Sequence, residues 1–257
     1  MSSGGQKIYF ISDIHLGVPN AAASRKREKL LVNWLDEVKA DAAEIFIVGD
    51  LFDFWFEYRR AVPKGFTRIL GKLAEISDSG IPIHFFTGNH DLWMFGYFEA
   101  ELGIQVYHEP VSRKLLGKDF FIGHGDGLGP GDTGYKWLKK LFRNPTAQWL
   151  YRTLVHPDIG IKLADYFSRR SRYGSGQLQE EAFLGEDKEW LVQYARRKLQ
   201  QQHFDYFIFG HRHLPLDIEL NENSRYINLG DWLSYFTYAE FDGQQMALTT
   251  YAAATAK

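Results

Sequence analysis

Five short clusters of Asp, His and Asn stand far apart in the chain. They are Asp13-Ile14-His15, Gly49-Asp50, Gly88-Asn89-His90-Asp91, Gly123-His124-Gly125-Asp126 and Gly210-His211-Arg212-His213. Asp offers hard oxygen and His offers nitrogen, a mixture suited to manganese, iron, zinc or similar divalent ions. A pair of ions roughly 3.5–4 Å apart needs a bridging carboxylate. Asp50 is the natural bridge, because it stands alone after an apolar run. His211 and His213 alternate about Arg212, so on an extended strand both imidazoles face the same side and one ring reaches each ion.

Each cluster follows a short apolar run directly. Ile8–Ile11, Ile45–Val48, Pro82–Phe86, Asp119–Ile122 and Phe204–Phe209 read as buried strands. Between the first three lie two amphipathic stretches, 25–39 with Leu30, Leu31, Trp34, Leu35 and Val38 on one face, and 66–76 with Ile69, Leu70, Leu73 and Ile76. This alternation predicts a parallel sheet with crossover helices. Ligands bind at the carboxyl ends of such strands, so the clusters are expected to converge in space. Small residues beside them let the backbone turn and approach a bound ion closely.

Further on, 111–122 reads as a hairpin, 186–202 as a helix, and 216–220 and 226–229 as strands. Asp242-Gly243, between two more strands, carries the signal of a type I′ hairpin. The stretch 134–185 is helical in character and interrupts the α/β pattern, so it is expected to be a cap inserted within one domain spanning 7–257. A chain of 257 residues that is 45% hydrophobic and 24% charged can bury a full core. It has no cysteine, which excludes disulfides and thiolate metal sites. The net charge of −2 argues against general nucleic-acid affinity. No apolar run reaches about 18 residues, so no membrane span is expected.

In order and composition these clusters resemble the calcineurin-like metallophosphoesterases, over residues 8 to about 232. The resemblance implies an α/β fold of two mixed sheets flanked by helices, a β-sandwich. It implies Asp13, His15, Asp50 and His213 on one divalent ion, and Asp50, Asn89, His124 and His211 on a second. Water bound to such ions loses a proton near neutral pH, giving a hydroxide for in-line attack on phosphorus. His90, directly after Asn89, is then placed to stabilise or protonate the leaving oxygen. Asp91 is expected either to orient the His90 ring or to serve the turn.

HGDGLGPGDTGY, GDLFDFW, INLGDW and the helical insertion resemble the UDP-2,3-diacylglucosamine hydrolases of lipid A biosynthesis. That likeness implies Mn2+ as cofactor and an acylated sugar nucleotide as substrate. It implies release of UMP and 2,3-diacylglucosamine 1-phosphate (lipid X), and a cytoplasmic enzyme lying against the inner membrane through its cap. Asn89, His90, Asp132, Ser171 and His211 are then expected on the substrate, with Arg169, Arg170 or Arg172 on phosphate. Neither a nucleic acid nor an obligate protein partner is implied. The segment 134–176 has nine Lys or Arg against two Asp, interleaved with residues such as Trp137, Phe142, Trp149 and Phe167. Such a segment binds acyl chains or anionic headgroups; an ordinary amphipathic pair with a solvated basic face is the plainer reading. One departure is His90, where well-known lipid A hydrolases have Arg. The alternatives are a soluble nucleotide phosphodiesterase or nuclease with the same core, and a non-catalytic scaffold. The intact ligand set argues against the scaffold.

Overall fold

The computed structural model describes residues 6–129, 140, 142, 144–160, 162, 182–183 and 185–255. Two mixed β-sheets pack face to face, with helices on their outer sides. The first sheet has the order β11-β10-β1-β2-β3-β4. Its strands are β1 (Lys7–Ile11), β2 (Ala42–Val48), β3 (Ile83–Phe86), β4 (Gln105–Tyr107), β10 (Thr237–Phe241) and β11 (Met246–Thr250). β1 to β4 run parallel, while β10 and β11 are antiparallel to their neighbours. The second sheet has the order β5-β6-β7-β9-β8, with β5 (Val111–Leu115), β6 (Lys118–Ile122), β7 (Tyr206–Phe209), β8 (Pro215–Asn221) and β9 (Ser224–Leu229). β6, β7 and β9 are mutually parallel.

Side chains alternate across each strand, and this divides the core into three layers. Ile8, Phe10, Phe46, Val48 and Phe86 face Phe120, Ile122, Ile208, Ile227 and Leu229 between the sheets. The opposite faces of β1 to β3 present Tyr9, Ile11, Ile45, Ile47, Ile83 and Phe85 to the helices. There α1 (Ala21–Val38) brings Leu31, Trp34, Leu35 and Val38, and α2 (Thr67–Asp78) brings Ile69, Leu73 and Ile76. The start of α1 is set by Asn20, whose Oδ1 accepts from the N–H groups of Ala22 and Ala23. Outside the second sheet, Leu191, Val192 and Ala195 of α5 (Trp190–Leu199) pack on Phe121, Phe207 and Phe209.

Some expectations need correction. A short helix, α3 (Tyr97–Leu102), and β4 stand where no element was expected. Asp242-Gly243 does lie in a hairpin, but only Gly243 has positive φ. Phe241 pairs with Met246, and Asp242 Oδ1 accepts from the N–H groups of Gln244 and Gln245, which makes a four-residue loop. The two-residue turn with both φ positive is Leu116-Gly117. Much of 134–185 lies outside the described residues, including Arg169, Arg170, Ser171 and Arg172, and so does Asp132 just before it. Inside that stretch α4 (Pro145–Leu154) is a helix with no buried residue. It meets the body through Tyr151, whose ring lies 5.0 Å from Phe56 and 5.1 Å from Trp93. The last helix, α6 (Ala252–Thr255), follows β11.

Candidate metal centre

The five clusters meet where β1, β2, β3, β6 and β7 end. Their backbone is not extended there. Asp13, His15, Asp50, His211 and His213 all have left-handed φ, between 48° and 68°. Such angles are costly for residues other than Gly and persist only where the surroundings enforce them. His211-Arg212-His213 therefore does not continue β7 as a strand, and the same-side argument from strand alternation does not apply to it.

Buried polar groups enforce these turns. Arg27 of α1 donates Nε–H to the Ile14 carbonyl (2.7 Å) and Nη2–H to the carbonyls of His15 (2.6 Å) and Val18 (2.7 Å). The N–H groups of Ile14 and His15 donate to the Asp50 carbonyl. The carboxylate of Asp91 accepts from the N–H groups of Gly88 (2.7 Å), Leu51 (2.9 Å) and Asp50 (3.3 Å). Asp91 therefore serves the turns. The His90 ring is oriented elsewhere, with its Nδ1–H donating to the Asp53 carbonyl at 2.9 Å.

Glycines make room for the ligands. A Cβ at Gly88 would stand 2.1 Å from Asp50 Oδ1, at Gly49 2.4 Å from His124 Nδ1, and at Gly210 2.5 Å from Asp13 Oδ2.

All seven residues expected as ligands converge. Asp13 Oδ1 lies 3.7 Å from His15 Nε2 and 3.4 Å from His213 Nε2, and those two nitrogens are 3.2 Å apart. Asp50 Oδ2 lies 3.7 Å from His15 Nε2 and 3.3 Å from His124 Nε2. Asn89 Oδ1 lies 3.3 Å from His124 Nε2 and 2.9 Å from His211 Nδ1. Asp50 thus touches both groups. Ligand atoms each roughly 2.0–2.2 Å from one ion stand about 3–3.5 Å from one another, which is the spacing seen here. Asp13 Oδ1 is buried with no hydrogen-bond partner, a costly state unless a cation completes it. The donor set fits a divalent ion on both counts.

Electrostatics point the same way. Burial holds His15 at about 3 and His211 at about 4, so both rings are neutral and ready to ligate. Burial also opposes charge on His124, but the carboxylate of Asp50, with help from Asp13, overrides it and raises this ring to about 10. His213 is raised for the same kind of reason, burial being outweighed by Asp13 and Asp231. Burial and the nearby Asp50 raise Asp91 to about 7. A proton on His124 thus partly neutralises a carboxylate cluster that an ion would otherwise neutralise.

Several supporting residues were not identified from sequence. Asp53 Oδ1 lies 3.4 Å from His15 Nδ1 and 3.8 Å from His90 Nδ1. Asp231 Oδ2 lies 3.4 Å from His213 Nδ1, and its Oδ1 accepts from the N–H groups of Leu233, Ser234 and Tyr235. The signal for both was present, since Asp53 sits three residues after Asp50 in GDLFDFW and Asp231 closes INLGD. Arg27 had no signal, because a helical Arg reads as a surface residue.

The sequence matches a family described as calcineurin-like phosphoesterase over residues 6–215. A relative from Porphyromonas gingivalis, a UDP-2,3-diacylglucosamine hydrolase, is 41% identical over 254 residues, spanning 94% of this chain and 96% of its own length. One of the same name from Actinobacillus succinogenes is 28% identical, spanning 88% of this chain and 92% of its own length. Among solved structures, Vps29 from Entamoeba histolytica has a TM-score of 0.44 at 13% identity, spanning 95% of this chain and 90% of its own.

Proposed function

From a chain that belongs to the calcineurin-like phosphoesterase family, we infer a metal-dependent hydrolase of lipid A biosynthesis that cleaves the pyrophosphate of UDP-2,3-diacylglucosamine. The products are UMP and lipid X. The observation that carries this reading is the 41% identity to a hydrolase of that name over nearly the whole of both chains.

Two divalent ions, Mn2+ in this proposal, would be held here, one by Asp13, His15, Asp50 and His213 and the other by Asp50, Asn89, His124 and His211. When bound, such a pair withdraws charge from phosphoryl oxygens and acidifies water. The protein's own residues do the rest. His124 Nδ1–H donates to the Val48 carbonyl at 2.9 Å, which leaves Nε2 for ligation. His90, with Nδ1–H on the Asp53 carbonyl, keeps Nε2 for the leaving oxygen. That oxygen belongs to a phosphate monoester, an easy leaving group, so His90 acts mainly by offering a hydrogen bond. Asn89 and His211 touch the substrate as well as an ion.

The cap at 134–185, with Asp132 just before it, carries the remaining contacts in this proposal. Asp132 and Ser171 address the glucosamine or uridylyl part, and Arg169, Arg170 or Arg172 the phosphates. The described part of the cap supports an apolar substrate. Trp149, Leu150, Leu154 and Ile159 are exposed, Trp149 by 63% and Leu154 by 73%. Of these, Leu154 lines a cavity of about 520 Å³ together with Arg59, Arg60, Arg152 and His156. Apolar tips flanked by cations suit a membrane surface with anionic headgroups. No helix among the described residues is long and apolar enough to cross a membrane; the contact proposed with the cytoplasmic face of the inner membrane is a peripheral one.

The test is Mn2+-dependent turnover of UDP-2,3-diacylglucosamine in mixed micelles, run in 18O-water, with the products read by mass spectrometry. UMP carrying the label is expected, together with unlabelled lipid X. Rapid cleavage of a model phosphodiester beside an untouched lipid substrate would sink the reading.

A further inference from the structure

We propose that Glu189 and Arg212 are positioning residues for the metal centre. Their forked ion pair fixes the turn that aims His211 and bolts it to the start of α5. The inference rests on the metal-centre reading above and deepens it.

The turn is unusual. Arg212 N–H donates to the Gly210 carbonyl at 2.8 Å, closing a three-residue ring with His211 at φ 68° in its middle. A γ-turn with positive central φ is rare and strained, so it needs external support. Three groups give it. Asp13 Oδ2 accepts His211 N–H at 2.9 Å, and Asn228 Nδ2–H donates to the Gly210 carbonyl at 2.6 Å. The third is the Arg212 side chain, which reaches away from the centre. Its Nε–H meets Glu189 Oε2 at 2.8 Å and an Nη2–H meets Oε1 at 2.7 Å.

Both ends of this fork are buried. The side chain of Glu189 is 3% exposed and that of Arg212 11%. Glu189 is the N-cap residue of α5, yet its carboxylate makes no capping bond and is turned to Arg212 instead. The next residue, Trp190, sets its ring 5.9 Å from the His211 ring, edge on. Behind them Leu191 and Val192 are fully buried, so the helix is a fixed anchor. A Lys at 212 would keep the charge and lose the paired geometry. One helix entry therefore grips both the ring of His211 and its neighbour. It is also the point at which the chain returns from 134–185 to the core, so whatever moves that entry moves a ligand.

A clamp that only stabilises and one that aims a ligand differ in a measurable way. Arg212→Lys and Glu189→Gln should weaken Mn2+ binding by roughly 10–100-fold, the usual cost of losing support behind a ligand. Binding is read from the electron paramagnetic resonance of free Mn2+, without substrate. The double variant Glu189→Met/Arg212→Leu removes the buried pair whole, which is often neutral for stability. Its melting temperature in chelator should recover toward wild type while Mn2+ affinity and kcat stay low. Affinity that recovers together with melting temperature would show a structural pair only and overturn the proposal. So would wild-type affinity in both single variants. A wild-type protein that binds no Mn2+ would overturn the metal-centre reading as well.

Discussion

Arg27 holds the carbonyl of His15 at 2.6 Å from inside α1, so a helix residue outside the ligand set decides how the first ligand loop is shaped. The same guanidinium reaches Ile14 and Val18. Lys cannot satisfy three carbonyls in that planar arrangement. Arg27→Lys should cost about 1.5–3 kcal/mol for lost charge-assisted bonds. Thermal denaturation should show it as a drop of roughly 2–4 °C per kcal/mol, with weaker Mn2+ binding alongside. An unchanged melting temperature and affinity would show that the loop holds itself.

Asp91→Asn tests the turn role. The amide turns one acceptor into a donor facing backbone N–H groups, leaving at least one unsatisfied at about 1–3 kcal/mol. The melting temperature should fall. The shape of the pH–rate profile should be retained, because the His90 ring is held from Asp53. A shifted profile would return Asp91 to the chemistry.

His90→Ala should lower kcat by about 10²–10⁴-fold, the range for a positioned acid or base. Mn2+ affinity should be unchanged. Asp50→Ala should abolish both binding and turnover, with most of the fold kept by the three-layer core. A variant without Asp50 that turned over normally would remove the bridging role.

Metal uptake should release protons. In the metal-free protein His124 titrates at about 10, against an ordinary 6.5. Its raised value stabilises the metal-free fold fully below about 6.5, and that contribution is lost as pH climbs through 10. At pH 8 the folded ring is therefore protonated, and ligation must expel that proton. Calorimetry of Mn2+ binding in two buffers of different ionisation enthalpy should give different apparent enthalpies. Identical values would mean that no proton leaves.

Trp149→Glu and Leu154→Glu should reduce sedimentation with vesicles containing anionic lipid and raise KM for the lipid substrate. Mn2+ affinity should not change, since α4 carries no proposed ligand. Full vesicle binding in both variants would remove this helix from the membrane contact.

The elements that place the site were legible because buried parallel strands are short apolar runs and α1 and α2 carry clean stripes. The ligand types were legible because Asp, His and Asn stand directly after those runs. Three things were hidden. Left-handed φ at Asp13, His15, Asp50, His211 and His213 has only a weak marker, since Asp and His enter that region more often than most residues but still rarely. Arg27 bonds to backbone groups, which are the same at every position and leave no trace in residue types. Glu189 is 23 residues from Arg212 and lies in a different element, so no local pattern links them.

The glycines beside the ligands carry one further consequence. Each leaves a hole that a ligand from a different cluster fills: Gly88 for Asp50, Gly49 for His124, Gly210 for Asp13. A side chain at any of these positions would evict a ligand belonging to another stretch of the gene. The centre is interlocked like a puzzle, in which no piece can be exchanged before its mate. Grafting such a centre onto another protein would require moving ligand and hole together as couples, and a copy carrying the ligands alone should bind no ion pair.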